Sequence, residues 1–390
     1  MNNFFIDTGW HSLNKHGEQL CGDQVNIVEM DDRSLVMVLA DGLGSGVKAC
    51  ILSTLTAKII STMVSRSMSI EDCVETIAAT LPVCEERHIA YSTFTIIKVK
   101  NDREAEVIQY DNPQVILLRD GKSLELPLSG IEIGGKLIYR SKVKLRENDV
   151  FIAMSDGALH AGVGETLNYD WQRDDIIRFM EKKKVDRLAA KAITTILLEE
   201  CNRLYEGEPS DDTTVCTIKV RSRNQVNLLI GPPLSREDDS KMMALFFAKE
   251  GKRIVCGGTT AGMAASFLQK ELRVEKDTPD PEVPPAGFLD GVDLVTEGLI
   301  TINKVLEYAR DHLRDNSLYF AWSYRQDGAS QIARLLFEEA TDISFYVGRA
   351  VNPAHQNSDL PVEFSIKMRL VEELADCLKR MGKHIKVSYF

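Results

Sequence analysis

Leu39-Ala40-Asp41-Gly42-Leu43-Gly44-Ser45-Gly46-Val47-Lys48-Ala49 decides how the first half of this 390-residue chain reads. It follows a β-rich run, Ser34–Ala40, and precedes Ile51, Leu55, Ile59 and Met63, whose four-residue spacing predicts a helix over Val47–Ser65. A strand therefore ends on a carboxylate, glycines carry the turn, and a helix begins. Three further acidic motifs border β-rich runs: Gly22-Asp23, Ser155-Asp156-Gly157 and Ser210-Asp211-Asp212-Thr213-Thr214. An isolated Asp-Gly pair usually just makes a turn. Four motifs in order, one of them opening a helix through a glycine-rich loop, point to carboxylates that converge. Glycine next to a carboxylate removes the Cβ that would crowd such a point. Gathered aspartate oxygens repel one another unless a hard divalent cation sits among them, and Mg²⁺ and Mn²⁺ prefer such oxygen cages.

Outward from these motifs, residues 1–221 alternate strand candidates with a few helices. The strands are Gln24–Met30, Ser34–Ala40, Ser92–Lys98, Ala105–Tyr110, Val115–Arg119, Val150–Ser155 and Thr213–Arg221. Helices are expected at Ser69–Leu81, where Ser69 and Asp72 form a capping-box pattern, and at Asp186–Leu204. This composition predicts an α+β domain of sheets flanked by helices. After a boundary near 221–225 the texture changes. Strands Val226–Ile230, Lys252–Cys256, Gly291–Val295, Asp342–Val347 and His384–Phe390 alternate with helices Arg236–Lys249, Gly262–Glu271, Leu299–Arg310, Ala329–Ala340 and Val362–Met381. Such alternation predicts a second α/β domain over 225–390 with a mostly parallel sheet. A Pro-rich stretch, Asp277–Pro285, reads as a loop.

Composition narrows the partners. With 47 basic and 58 acidic side chains the formal charge is −11, which argues against a nucleic-acid or anionic-membrane surface. The N-terminus lacks a basic segment followed by an apolar run, so a soluble intracellular (cytoplasmic) chain is expected. None of the 8 cysteines forms a CxxC pair, and buried free thiols are the expected state. Gly257-Gly258-Thr259-Thr260 lies between a strand and a helix but lacks both the GxGxxG and the GKS/T pattern. A plain strand-to-helix turn is the expectation there.

Ala40–Ala49, Ser155-Asp156-Gly157 and Asp211-Asp212-Thr213-Thr214-Val215 together resemble metal-dependent type 2C (PPM) serine/threonine protein phosphatases of the bacterial sporulation stage II E subgroup. Asp111-Asn112-Pro113-Gln114-Val115 also resembles that subgroup, with Asp-Asn-Pro where many members carry Gly-His-Pro. The likeness runs over about residues 5–221. It implies a central β-sandwich with helices on both outer faces (α-β-β-α layers) and two Mn²⁺ or Mg²⁺ ions at one end. Asp41 then bridges the ions and the Gly42 carbonyl binds one. Asp156 and Asp211 complete the other shell, Asp23 serves the first ion through water, and Asp212 binds directly or orients its neighbour.

The implied reaction is hydrolysis of phosphoserine or phosphothreonine by a water bridging two ions, with Asp41, Asp156 and Asp211 as the catalytic set. The implied substrate is a phosphorylated regulatory protein of the anti-sigma-factor-antagonist type, with the attached domain in control and a homodimer possible. The early phosphate-holding arginine of eukaryotic relatives, which bacterial members often lack, has no counterpart in Phe4–Asp23, where His11, Lys15 and His16 are weak substitutes. His160 is either a general acid or a local structural residue. Two other readings stay open: a silent scaffold of this fold, and a ligand- or nucleotide-binding second domain as the main function.

Overall fold

The computed structural model describes residues 4–30, 34–80, 92–133, 135–163, 171–274, 286–350 and 362–390. It divides into two compact units, Met1–Ser222 and Arg223–Phe390. In chain order the first unit contains β1 (Phe4–Leu13), β2 (Asp23–Glu29), β3 (Leu35–Gly42), α1 (Gly46–Ser65), α2 (Ile70–Thr80), β4 (Ser92–Lys100), β5 (Glu104–Tyr110), β6 (Ile116–Arg119), β7 (Lys122–Leu124), β8 (Ser129–Ile133), β9 (Lys136–Lys144), β10 (Val150–Met154), α3 (Gly157–His160), α4 (Arg173–Lys182), α5 (Ala190–Leu204) and β11 (Thr213–Ser222).

Two antiparallel sheets, ordered β1-β11-β10-β6-β7 and β2-β3-β4-β5-β9-β8, face each other. Between them Met37, Leu39, Ile97 and Val107 of one sheet meet Leu117, Phe151, Cys216 and Ile218 of the other in a dry core. Alternation sends the other face of each strand outward. Val36, Val38 and Ile96 pack beneath α1 and α2, and Ile116, Ile152 and Val215 pack beneath α4 and α5. The result is the four-layer α-β-β-α arrangement. By length and composition α1 could cross a membrane, but it buries Ala49, Leu52, Thr56, Ala57 and Ile60 and covers β2 and β3.

One helix starts later than its sequence pattern predicts. Residues 185–187 form a 3-10 turn and α5 begins at Ala190 rather than Asp186. The cap comes from far away: Asp7 Oδ2 on β1 accepts the Ala190 N–H at 3.0 Å. Lys219 Nζ meanwhile donates to the Val185, Asp186 and Leu188 carbonyls, which holds the preceding turn out of the helix.

The second unit contains β12 (Gln225–Ile230), α6 (Asp239–Phe247), β13 (Lys252–Cys256), α7 (Gly258–Leu268), β14 (Arg273–Val274), β15 (Gly287–Phe288), β16 (Leu294–Thr296), α8 (Leu299–Leu313), α9 (Tyr319–Trp322), α10 (Gly328–Ala333), a π-helical turn at Arg334–Glu339, β17 (Asp342–Val347), α11 (Val362–Arg380) and β18 (His384–Tyr389). Its sheet runs β14-β15-β16-β13-β12-β17-β18. Strands β16, β13, β12, β17 and β18 are parallel, and in sequence rank they stand 3-2-1-4-5, a doubly wound order. The short β14 and β15 add an antiparallel edge. Helix α7 starts at Gly258, four residues before the predicted Gly262, because Gly257 turns the chain within one residue at φ 104°. The Pro-rich 277–285 stretch lies outside the described residues. Cys73, Cys201, Cys216, Cys256 and Cys377 are buried free thiols, and Cys21 and Cys50 are half-buried.

Candidate functional site

Register brings the acidic motifs to one end of the sandwich. Asp23 opens β2 and pairs directly with Asp41 on β3. In the facing sheet β10 ends at Met154, so Ser155 and Asp156 follow at the rim, and β11 begins at Thr213 just after Asp211 and Asp212. The two loops are tied together: the Ser155 N–H donates to the Thr214 carbonyl, and the Thr214 N–H to Ser155 Oγ at 2.8 Å.

Close approach by backbone at two positions and by side chains at a third favours glycine here. A Cβ on Gly42 would stand 2.2 Å from the Ala49 carbonyl oxygen, and one on Gly157 would stand 2.2 Å from that of Asp212. At Gly22 a Cβ would meet the Asp212 carboxylate at 2.9 Å. Ser92 Oγ donates to the Asp41 carbonyl and the Tyr205 hydroxyl to the Gly157 carbonyl, so both Asp-Gly turns are braced from neighbouring elements.

The four acids differ in environment. Asp23 is buried, and neither of its carboxylate oxygens has a hydrogen-bond partner. The nearby Ser155 and Thr214 hydroxyls favour its charged form without reaching hydrogen-bond geometry. Burial outweighs them, and with help from Asp212 and Asp156 it pushes the Asp23 carboxyl up to about 7. Burial, then the charges of Asp23, Asp156 and Asp211, raise Asp41 to about 9. Asp211 is raised too, by burial first and by Asp156 next, while the Lys15 ammonium pulls the other way. Asp156 is exposed at the head of α3. Burial and the neighbouring charges thus hold the carboxyls of Asp23, Asp41 and Asp211 above their usual range.

Asp212 is arranged differently. Its Oδ1 accepts the Lys15 N–H at 3.0 Å and its Oδ2 the Gly22 N–H at 2.8 Å. Both oxygens are thus engaged with backbone, and the side chain clamps the loop that delivers Asp23. Truncation, Asp212→Ala, is expected to cost about 2 kcal/mol, since it strands the buried Gly22 N–H and the half-buried Lys15 N–H, which had a charged acceptor. Urea unfolding of the purified variant measures this. A loss below about 1 kcal/mol would mean that the clamp contributes little.

Among the described residues, no three His, Cys, Asp or Glu side chains are closed around one point. A hard cation does not need three: Mg²⁺ is usually held by one or two carboxylates and keeps several waters. The partnerless Asp23 oxygens and the crowding of Asp41, Asp156 and Asp211 fit such an ion. His160 is exposed at the end of α3, one turn after Asp156. His11 lies on β1, opposite Val215 of β11, and the His16 N–H is tied to the Pro209 carbonyl. Sequence reading missed the bracing residues Ser92 and Tyr205, which carry no local motif.

Residues 31–221 match the family described as Stage II sporulation protein E (SpoIIE). The matched stretch lies within the first unit. Stage II sporulation protein E of Bacillus subtilis (strain 168) is 24% identical over 220 residues, 55% of this chain and 26% of that protein. The chain thus spans about a quarter of that relative's length. Phosphoserine phosphatase RsbX of the same organism is 29% identical over 161 residues, 40% of this chain and 76% of that protein. Among solved structures, the phosphatase domain of the cell fate determinant SpoIIE from Bacillus subtilis is similar at 21% identity and a TM-score of 0.44, covering 56% of this chain and 93% of that one.

Proposed function

We propose that the first unit is a divalent-metal-dependent phosphatase that hydrolyses phosphoserine or phosphothreonine in a regulatory protein. The observation that carries this reading is Asp23: two buried carboxylate oxygens without partners, paired across the sheet with Asp41 among further acids. A buried charge without compensation is costly, so a cation belongs there. Asp41, Asp156, Asp211 and the Gly42 carbonyl would hold Mn²⁺ or Mg²⁺, Asp23 would act on the first ion, and Asp212 would hold the Gly22–Asp23 loop in place. Ions bound there supply an acidified water and neutralise phosphate charge. Two ions, and a substrate of the anti-sigma-factor-antagonist type, are what the family resemblance adds.

The chain's own residues do the positioning. Ser155 and Thr214 lock the two carboxylate loops of the first sheet together, and the glycines let backbone and carboxylates share a small volume. The Lys15 ammonium acts on Asp211 and would offer a counter-charge to a phosphate at the rim.

Control is assigned to the second unit. Helix α1 begins at Gly46, one short turn after Asp41-Gly42, and leaves Val47, Ile51 and Leu55 exposed on successive turns. A contact on that stripe would act on the strand end that carries Asp41. The test is phosphate release from p-nitrophenyl phosphate and from phosphoserine peptides, with and without Mn²⁺, by the full chain and by residues 1–222. No Mn²⁺-dependent release would leave a binding scaffold of this fold. Equal turnover and equal Mn²⁺ affinity in the two proteins would refute control by the second unit.

A further inference from the structure

A groove of about 740 Å³ opens on the first unit where Leu128, Leu137 and Tyr139 stand beside Tyr110, Asp111 and Lys136. Resting on the phosphatase reading, we propose that this groove docks the substrate polypeptide beside its phosphorylated residue. It takes an apolar side chain some residues along the chain, with an acidic neighbour for Lys136.

Register connects the groove to the carboxylates. Leu39 pairs with Thr95, Thr95 with Gln109, and Gln109 with Tyr139, so these four residues form one row across β3, β4, β5 and β9 on a single face. Asp41 lies two residues beyond Leu39, and Leu137 lies two residues before Tyr139. In antiparallel strands both steps lead toward the same end of the sheet and keep the same face. Asp41 and Leu137 therefore occupy the next row, three strand spacings apart. At about 4.8 Å per spacing and about 3.3 Å per extended residue, a bound segment covers that distance in about four residues.

The ground between the two ends is fixed. Thr93, paired with Asp41, donates to Asn112 Oδ1 at 2.5 Å, and Asn112 donates to Thr95 Oγ1. Gln109 donates to the Pro113 carbonyl and accepts the Val115 N–H. The Asp111–Gln114 loop is thus pinned to β4 and β5, and the groove is built before anything binds.

Its chemistry selects the occupant. Leu137 is 52% exposed, Leu128 43% and Tyr139 42%, a contiguous apolar wall on an otherwise polar rim. The Lys136 ammonium lies 4.9 Å above the Tyr110 ring, and among the described residues no carboxylate forms a salt bridge with it. Partial burial disfavours its charge. An incoming carboxylate restores the balance while the neighbouring leucine-sized side chain covers the wall.

The probe is a set of short phosphoserine peptides in a Gly-Ser background, with a Leu-Glu pair placed at each position in turn on either side. Wild-type full chain with Mn²⁺ is expected to favour the best-placed Leu-Glu peptide by about tenfold in kcat/KM over the plain background, through KM. In Leu137→Asp that ratio is expected to fall to about one, and in Lys136→Glu the preference moves from Leu-Glu to Leu-Lys. Because each ratio is taken within one protein, a general loss of activity does not imitate the result. Wild-type release that ignores the pair at every position, or a Leu137→Asp variant that keeps the wild-type ratio, overturns the docking role. Failure to release phosphate from any peptide or from p-nitrophenyl phosphate overturns the phosphatase reading beneath it.

Discussion

Replacing Asp41 by asparagine is expected to lower Mn²⁺-dependent hydrolysis of p-nitrophenyl phosphate by the full chain about 10³-fold or more, some 4 kcal/mol of transition-state stabilisation. Asparagine keeps the volume and the strand pairing with Asp23, so the fold has no reason to fail. What it removes is the negative charge that neighbours Asp23, Asp156 and Asp211 and that would share in holding the cation. The same replacement removes the carboxyl that burial, and then its acidic neighbours, raise to about 9, so the metal-free variant should melt higher than wild type. Loss of turnover together with gain of stability separates a ligand from a merely structural acid, whose removal lowers both. Calorimetric titration with Mn²⁺ supplies the third reading, a weakened or absent binding heat. An Asp41→Asn protein that keeps more than about a tenth of wild-type turnover would sink the assignment.

Much of this site was legible because its signals are local. Strand, carboxylate, glycine and helix start lie within a dozen residues at Leu39–Ala49, and the same grammar repeats at Ser155-Asp156-Gly157. What escaped is made by distant partners. Asp7 caps α5 from 183 residues away, so propensity alone started that helix too early. Strand β1 escapes the pattern because its helix-facing positions are not all apolar. Asp7 is buried to make that cap, and at Gly9 a Cβ would strike the Lys191 backbone nitrogen at 2.4 Å. Period-2 reading looks for alternating apolar residues and finds an acid and a glycine instead. Strand β9 failed for the opposite reason: Leu137 and Tyr139 face solvent, which inverts the usual pattern. The clamp role of Asp212 rests on bonds to Lys15 and Gly22, nearly 200 residues away, and no spacing rule encodes it. The motifs thus name the carboxylates, while the tertiary fold decides which of them are left without partners.

The metal-free chain is expected to lose stability as pH rises from about 5 to about 9, and to regain it on addition of Mn²⁺. In the unfolded chain an aspartate ionises near its ordinary value of about 3.9. In the folded chain burial holds Asp23 protonated up to about 7 and Asp41 up to about 9. Between those limits the folded state binds more protons than the unfolded one, so each rise in pH favours unfolding. The stabilising contribution is complete below about pH 4 and is lost as pH climbs through 7 and then 9. For Asp23 alone the shift corresponds to about 4 kcal/mol across the window, on the order of half a typical domain's stability. A bound cation reverses the preference, because it stabilises the ionised carboxylates and binds only the folded state. Mn²⁺ at a hundredfold excess over its dissociation constant adds about 2.7 kcal/mol, and more as pH rises and protons stop competing. Asp23→Asn removes one titrating group and should flatten the pH slope of the EDTA-treated protein, whatever the rest of the acidic surface contributes. Thermal melts of wild type and Asp23→Asn at successive pH values, in EDTA and in Mn²⁺, read this directly. If the EDTA-treated wild type and Asp23→Asn show parallel pH profiles, Asp23 is not the buried, raised carboxyl that the fold indicates.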